Sequence, residues 1–283
     1  LILKAAATDA SVAVFGESGS GKELVAHAIH HHSDKKDNRF VAVNCGAIQE
    51  SLFEREFFGH RKGAFSSAHA DAPGYLDMAD GGTLFLDEIS ELTLNMQAKL
   101  LRAIEGGGYR PVGGTETLSS DFRMISASNT ILGDKVAAGR MREDFFYRIQ
   151  VIQIQLPPLR DRRQDIPLLA EHFLCKMKTP AGISKIPGQV MDILMEYDWP
   201  GNVRELRNVL QRYVTLGHLE FFSPGPQSTG TPFPSGMNLR EAVQDLETSL
   251  IKKALNQAGG NRTQAAKLLG ISRRALFRKL EAV

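Results

Sequence analysis

Eight consecutive residues near the start of the chain have the composition of a site that holds phosphate groups. They read Gly-Glu-Ser-Gly-Ser-Gly-Lys-Glu, from Gly16 to Glu23. Glycines let backbone N–H groups turn toward one centre without interference from Cβ atoms, and a lysine can reach the outer phosphates of a nucleotide. The pattern predicts a phosphate-binding loop (P-loop). The residues predicted to bind nucleotide there are Gly16, Glu17, Ser18, Gly19, Ser20, Gly21, Lys22, Glu23 and Leu24.

The flanking sequence supports this interpretation. An apolar run, Val12–Phe15, precedes the loop, and apolar residues at helical spacing follow it from Leu24 to Ile29. Strand, glycine loop and helix is the context that a P-loop needs, and the helix dipole adds attraction for phosphate. The residue after Lys22 is Glu23, so the hydroxyl that usually binds Mg²⁺ is missing. A glycine turn that binds nothing is the alternative.

Two adjacent carboxylates, Asp87 and Glu88, follow a second apolar run that begins at Thr83. A buried strand that ends in two carboxylates is typical of the Walker B element of nucleotide hydrolases. Asp87 would then hold Mg²⁺, directly or through water, and Glu88 would orient and polarise the attacking water. The alternative is an ordinary strand followed by an acidic helix cap. The P-loop upstream favours the first interpretation.

Composition and charge limit the class of protein. The 283 residues are 42% hydrophobic and 23% charged, which is ordinary for a globular protein of two or three domains. We find no signal peptide and no apolar run near the ~20 residues that cross a bilayer. Cys45 and Cys175 lack metal-ligand spacing, so we expect a reduced, cytoplasmic setting. The chain begins with Leu1, which indicates a piece of a longer protein.

A cluster of four histidines is not predicted to bind a metal. The cluster contains no carboxylate or cysteine partner at ligand spacing. Its members are His27, His30, His31 and His32.

The elements that must position these residues change along the chain. Residues 1–158 alternate strand-like runs with helical patterns, which predicts an α/β subdomain with a parallel sheet. Residues 159–220 contain only helical patterns and predict a small helical subdomain. The predicted strands are Val12–Phe15, Phe40–Val43, Thr83–Leu86, Arg123–Ala127 and Val151–Gln155. The predicted helices include Met96–Ile104, Asp165–Met177, Pro187–Glu196 and Asn202–Leu216.

The C-terminal part predicts a DNA-binding module. Residues 221–237 are rich in Pro, Gly and Ser and predict a linker, and residues 238–283 are helical again. From Asn261 onward the chain carries six basic side chains against one acidic one, while the rest carries 28 basic and 31 acidic ones. A short helix over Thr263–Leu269, a turn at Gly270 and a last helix capped by Ser272 fit a helix-turn-helix.

In that module, the residues placed to touch DNA are Thr263, Ser272, Arg273, Arg274 and Arg278. A three-helix protein-binding module with a basic face is the alternative to a DNA-binding one.

With these motifs in view, nearly the whole chain resembles the bacterial enhancer-binding proteins, the AAA+ ATPases that activate sigma-54 RNA polymerase. The P-loop resembles the family's version, in which Glu follows the Lys, so Glu23 is expected there. The resemblance implies a P-loop AAA+ fold with a helical lid and a Fis-type helix-turn-helix domain. It also implies ATP and Mg²⁺ as cofactors, a ring (most commonly a hexamer), and sigma-54 polymerase and enhancer DNA as partners.

The resemblance assigns further roles to residues around the nucleotide. Asn44 ends a segment similar to the one whose Asn contacts the Walker B Glu, so it would gate Glu88; a strand-end capping Asn is the alternative. Asn129 follows a strand that resembles sensor I, and Arg204 lies in a motif that resembles sensor II. Trp199, the only Trp, is expected in the lid core.

Two arginines, Arg142 and Arg148, lie in a segment that resembles the arginine-finger helix. They would reach the ATP site of a neighbouring subunit, where a guanidinium can stabilise charge on phosphoryl oxygens. Surface salt bridges are the alternative.

A loop near residue 65 resembles the segment with which the family touches sigma-54. The family core Gly-Ala-Phe-Thr-Gly-Ala is replaced here by Gly63, Ala64, Phe65, Ser66, Ser67 and Ala68. Ser66 keeps a hydroxyl, but Ser67 replaces a Gly that can use backbone angles which Ser resists. Phe65 is expected as an exposed apolar tip that marks a contact site.

The sequence therefore predicts a ring ATPase that hydrolyses ATP to remodel the sigma-54 closed promoter complex while bound to enhancer DNA. Because of Ser66 and Ser67, the alternative is a DNA-binding regulator whose ATP site serves as a sensor and which does not act through sigma-54. A general AAA+ protein remodeller is disfavoured by the helix-turn-helix.

Overall fold

The computed structural model describes residues 1–177, 186–216, 219, 221, 251, 254, 261–271 and 275–276. The chain forms two compact units, Leu1–Phe221 and Phe222–Val283. The finer boundaries at 158, 220 and 237 stay predictions. In the part of the chain that the structure describes, no helix is long and apolar enough to cross a bilayer.

Five parallel strands form the centre of the first unit, in the order β2-β3-β4-β1-β5. The strands are β1 Val12–Phe15, β2 Phe40–Asn44, β3 Thr83–Asp87, β4 Arg123–Ser128 and β5 Ile152–Gln155. All five predicted strands and the α/β class are confirmed. The central strands β1 and β4 are buried along their whole length, whereas the edge strands β2 and β5 alternate between buried and exposed positions. This is the pattern expected of a sheet covered on both faces.

Helices connect the strands and cover the two faces of the sheet. They are α1 Ile2–Ala6, α2 Lys22–His31, α3 Glu50–Phe58, α4 Tyr75–Met78, α5 Leu94–Arg102, α6 Leu132–Ala137 and α7 Glu143–Ile149. Successive β1 side chains enter different cores: Ala13 and Phe15 join one apolar cluster with Phe53, while Val12 and Val14 join another. The strand period of two therefore divides the core into two layers.

Helix α5 begins and ends two residues earlier than predicted. Thr93 caps it by accepting a hydrogen bond from the Met96 N–H, and the chain then continues as a π-turn over Ala103–Gly107. A threonine side chain satisfies an otherwise unpaired N–H of the first turn, so it fixes where the helix starts.

Three helices form the lid: α8 Ile166–Lys176, α9 Gly188–Glu196 and α10 Asn202–Leu216. They pack around Trp199, which is fully buried, and whose Nε1 donates to the Leu194 carbonyl at 2.8 Å. The prediction that Trp199 belongs to the lid core is confirmed. The buried indole explains why the three helices form one subdomain, since a large ring with a polar atom needs both apolar cover and a partner.

The described part of the second unit contains α11, Arg262–Leu268, against the predicted Thr263–Leu269. Asn261 caps it, and Gly270 has a left-handed backbone (φ 65°) where the helix ends. Ala265 and Ala266 pack with Leu276, which is also helical. The last predicted contacts, Ser272, Arg273, Arg274 and Arg278, lie outside the described residues.

Candidate active site

The predicted site residues meet because four parallel strands end at one edge of the sheet. The P-loop follows Phe15, which lies opposite Ser128 at the end of β4. On the other side of β4, Asn44 at the end of β2 lies opposite Asp87 at the end of β3. Ligand sites of open parallel sheets lie at this edge. One cleft of about 400 Å³ there is lined by Lys22, Asn44, Asp87, Glu88, Asn129 and Arg204.

The P-loop has the backbone that its glycines predict. Gly19 and Gly21 have φ values of 76° and 105°, which favour glycine, and α2 begins directly after Gly21. Lys22 Nζ donates to the carbonyls of Gly16 at 2.8 Å and Glu17 at 3.2 Å. Burial lowers the pKa of Lys22, and Asp87 opposes that shift through its negative charge. The ammonium group thus lies on the loop itself and within the electrostatic reach of Asp87 and Glu88.

Glu88 is held in a strained conformation. Its backbone is left-handed (φ 54°, ψ 41°), which is rare for a residue with a side chain, and its N–H donates to Asp87 Oδ1 at 2.9 Å. A Cβ atom added to Gly46 would lie 2.5 Å from Glu88 Oε2. Strain of this kind costs about 1–3 kcal/mol and persists only where the surroundings enforce it. The Glu88 carboxylate thus lies directly against Gly46, a neighbour that sequence reasoning missed.

Asn44 does not make the contact that the resemblance implied. Its Oδ1 accepts hydrogen bonds from the N–H groups of Gly46 at 2.9 Å and Ala47 at 3.2 Å, and no bond to Glu88 is formed in the described part of the chain. An amide at the end of a strand caps the following turn readily because its oxygen is close to those N–H groups. The structure thus shows the capping alternative, and a gating role for Asn44 stays a prediction.

The lid contributes one wall of the cleft. Arg204 Nη1 donates to the Ser18 hydroxyl at 3.1 Å, and its contact with phosphate stays a prediction. Four further lid residues line the cleft and were missed: Phe173, Val203, Arg207 and Asn208. Arg207 and Asn208 could have been found, because positions three and four residues after Arg204 lie on the same face of a helix.

The lid also holds the outer side of the P-loop. The backbone N–H groups of Val203 and Arg204 donate to the Gly19 carbonyl at 3.0 and 3.3 Å. Asn202 Nδ2 donates to the Ser18 carbonyl at 3.1 Å, and Arg162 Nη2 donates to the Ser20 carbonyl at 2.6 Å. Residues 162 and 202–204 thus contact the carbonyls of three consecutive P-loop residues.

Glu17 forms a bidentate ion pair between the P-loop and Arg160. Arg160 binds both carboxylate oxygens, at 2.9 and 2.5 Å, and Asn202 Nδ2 lies 3.0 Å from Oε2. The hydrogen bond from Arg160 lowers the pKa of Glu17 to about 2, with a smaller contribution from Asn202. Sequence reasoning missed Arg160, since no spacing rule connects it to a residue so far upstream.

Arg142 and Arg148 do not line the cleft of their own chain. Arg142 forms a bidentate pair with Asp144, at 3.0 and 2.7 Å, and Arg148 Nη2 donates to the Ile104 carbonyl at 2.8 Å. Both guanidinium groups carry local contacts in this structure. An action on a neighbouring subunit's nucleotide stays a prediction.

The loop that contains Phe65 differs from the expectation. Phe65 is half-buried, with its ring 4.8 Å from that of His60 and the Arg55 guanidinium 5.7 Å from its centroid. The expected exposed tip is therefore wrong for this conformation, because the ring and the cation attract Phe65 back onto the body. Gly63 is left-handed (φ 82°), whereas Ser67 is not among the non-glycine residues with positive φ. Ser67 therefore does not use the left-handed backbone angles that a glycine there could adopt.

Models of three protein families match consecutive parts of the chain. The sigma-54 interaction domain matches residues 1–155, the AAA+ ATPase lid domain matches residues 160–223, and the Fis family of bacterial regulatory proteins matches residues 242–282. The first match alone covers more than half of the chain. The chain belongs to the sigma-54 interaction domain family.

Individual relatives agree with this assignment. The transcriptional regulatory protein ZraR of Salmonella typhimurium is 44% identical over 285 residues, covering 99% of this chain and 65% of ZraR. The regulatory protein AtoC of Escherichia coli is 45% identical over 292 residues, covering 98% of this chain and 63% of AtoC. This chain thus spans less than two thirds of the length of either relative.

Solved structures are similar over the same extent. NtrX from Brucella abortus superimposes with a TM-score of 0.71 at 36% identity, covering 99% of this chain and 65% of NtrX. Its complexes with ADP and ATP give TM-scores of 0.70 and 0.68, at 35% and 36% identity, with the same coverage.

The unusual acidity of Glu17 can be tested by titration. We expect most of the Glu17 carboxylate to remain ionised at pH 3, because Arg160 lowers its pKa to about 2. The pKa of an ordinary Glu is 4.5. Since the folded pKa lies below the unfolded one, its contribution to stability is complete above pH 4.5 and declines as the pH falls toward 2. Carbon-detected NMR of the side-chain carboxyl, assigned with Glu17→Gln, measures this; a midpoint between pH 4 and 4.5 would contradict the bidentate contact.

Proposed function

We propose that this chain is an ATPase that works as a ring and remodels sigma-54 RNA polymerase. The observation that carries the proposal is the single cleft that brings together Lys22, Asp87, Glu88 and Arg204. These residues come from the P-loop, the Walker B strand and the lid, and they supply a phosphate contact, two carboxylates and a second cation. Phosphoryl transfer needs this combination of positioning and charge.

The cleft fits a nucleoside triphosphate. Left-handed glycines at positions 19 and 21 keep Cβ atoms out of the P-loop, and a Cβ on Gly19 would collide with the Gly201 carbonyl. The complexes of NtrX with ADP and with ATP support nucleotide binding by this fold at 35% and 36% identity. Lys22 would leave the Gly16 and Glu17 carbonyls to reach the phosphates.

The two carboxylates at the end of β3 are suited to two roles, holding a magnesium ion and acting as a catalytic base. Asp87 offers the hard oxygen ligand that Mg²⁺ prefers, and the ion would neutralise charge on the phosphates when bound. Glu88 would orient the attacking water and accept its proton. The strained backbone at Glu88 supports such a role, since strain of this kind concentrates at functional sites.

The remaining roles concern partners. Arg142 and Arg148 would complete the site of a neighbouring subunit, and the Phe65 loop would contact sigma-54 after leaving its position on His60 and Arg55. Enhancer DNA would bind to the helix-turn-helix, in line with the Fis-family match over residues 242–282. The contacts would be Thr263, Ser272, Arg273, Arg274 and Arg278.

Two variants separate binding from chemistry. We expect Lys22→Ala to lose ATP binding, because the cation that meets the phosphates is gone. Glu88→Gln should keep ATP binding but lower turnover by about 10²-fold or more, because the amide cannot accept a proton. Equilibrium binding of a fluorescent ATP analogue and phosphate release measure the two effects. Normal turnover by Lys22→Ala would refute the ATPase proposal.

Complementation tests whether Arg142 acts across a subunit boundary. Arg142→Ala and Lys22→Ala proteins, each inactive alone, should regain part of the ATPase activity when mixed, because one subunit then offers an intact cleft and its neighbour an intact arginine. A mixture of Lys22→Ala and Glu88→Gln is the matched control, since both changes damage the same cleft and no activity should return. Equal results for both mixtures would count against a finger in trans.

Capture of sigma-54 tests the partner. The chain with ADP and aluminium fluoride, which mimics the transferring phosphoryl group, should retain purified sigma-54 on a gel-filtration column, and Phe65→Ala should not. Lys36→Ala, an exposed residue elsewhere in the same unit, is the control. ATP turnover without capture by the unaltered chain would instead favour a regulator that does not act through sigma-54.

A further inference from the structure

The backbone carbonyls of five consecutive P-loop residues, from Gly16 to Ser20, all accept hydrogen bonds. Lys22 engages the carbonyls of Gly16 and Glu17, which lie at the start of the loop. The carbonyls of Ser18, Gly19 and Ser20, which follow, all accept from residues of the lid or of the segment that leads to it. A peptide carbonyl held from one side fixes the plane of the peptide, and so fixes the direction of the next N–H group. The lid therefore helps to aim the N–H groups that a phosphate needs.

A single side chain organises the lid residues that make these contacts. Asn202 is fully buried and has a left-handed backbone (φ 53°). Its Nδ2 reaches both Glu17 and the Ser18 carbonyl, while its Oδ1 accepts from the Leu159 N–H at 2.8 Å. One amide thus joins the P-loop, the start of α10 and the segment before α8. Its oxygen and its nitrogen are both used, so rotation of the side chain would break all three links.

The Glu17–Arg160 pair holds that amide in place from the solvent side. Its side chains are 41% and 39% exposed, and ion pairs at such exposure contribute little to stability. Here, however, both carboxylate oxygens are bound by one guanidinium, and one of them is shared with Asn202. A bidentate pair fixes orientation as well as distance. We therefore expect loss of this pair to change the geometry and the hydrogen exchange of the P-loop contacts more than the free energy of unfolding.

We propose that Glu17, Arg160 and Asn202 form a latch through which the lid sets the shape of the P-loop, and that all three are positioning residues for nucleotide. The inference rests on the proposed nucleotide site, but the latch itself is a contact of the chain alone. When the latch is closed, the first turn of α10 stays on the Gly19 carbonyl. When it is open, the lid separates from the loop, and nucleotide is held less tightly.

Hydrogen exchange tests the latch without nucleotide. In the full chain we expect Glu17→Gln and Arg160→Gln to speed exchange at the Val203 and Arg204 amides at least ~3-fold, since a charge-assisted contact is lost. The double variant should exchange no faster than the faster single variant, because the two changes break one interaction. Glu54→Gln is the matched control: it removes a carboxylate that pairs with Lys99 at 2.8 Å, and the pair joins α3 to α5 and not the lid to the P-loop.

A second variant deletes the other half of the latch. Asn202→Gly keeps the left-handed backbone, which glycine adopts freely, and removes only the side chain. Exchange at Val203 and Arg204 should again rise. If this variant does not fold, the exposed Glu17 and Arg160 variants still decide the question. Exchange at the level of Glu54→Gln in both of them, or additive effects in the double variant, would overturn the proposal.

Adding ADP separates this inference from the proposed function. In the unaltered chain ADP should slow exchange at Val203 and Arg204, and in Glu17→Gln it should bind with a several-fold higher Kd and protect those amides less. Full protection and an unchanged Kd in Glu17→Gln would overturn the positioning role. If the unaltered chain does not bind ADP at all, the nucleotide site fails, and the nucleotide-free exchange still decides whether the latch exists.

Discussion

The carbonyl oxygen of Gly19 joins the two halves of the first unit. It accepts hydrogen bonds from two N–H groups in the first turn of α10. The lid backbone lies so close to Gly19 that no side chain fits at that position. A helix N-terminus with unpaired N–H groups usually attracts a phosphate or a capping side chain. Here it binds the phosphate-binding loop itself. The sheet supplies the loop, the lid supplies its outer contacts, and the cleft lies where the two meet.

Three non-glycine residues with left-handed backbone lie near this junction. They are Glu88, Trp199 and Asn202. Each makes contacts in this conformation: the Glu88 N–H bonds to Asp87, the lid core encloses Trp199, and Asn202 uses both ends of its amide. Strain enforced in this way is a property of sites that must keep one geometry. It links the proposed catalytic carboxylate to the lid as parts of one preorganised region.

Local pattern predicted most of the fold. The five strands were found within one residue at each end, because buried parallel strands are short apolar runs bounded by turn residues. Asn202–Leu216 was predicted to the residue, since a strongly amphipathic helix shows its period clearly. Helix α5 was displaced by two residues because a threonine cap fixes its start. The predicted exposure of Phe65 was wrong because its partners, His60 and Arg55, come close to its ring only in the folded loop.

The sequence by itself determined the chemistry. The glycines beside Lys22 and the carboxylates after an apolar strand are recognised by residue type and spacing, and both can be read from the sequence without a structure. Only the tertiary structure decided which groups act together. Glu17 meets Arg160, Gly46 makes room for Glu88, and Asn44 caps a turn instead of reaching that carboxylate. Such pairings join residues from different elements, and their geometry depends on packing and backbone angles that no local period records.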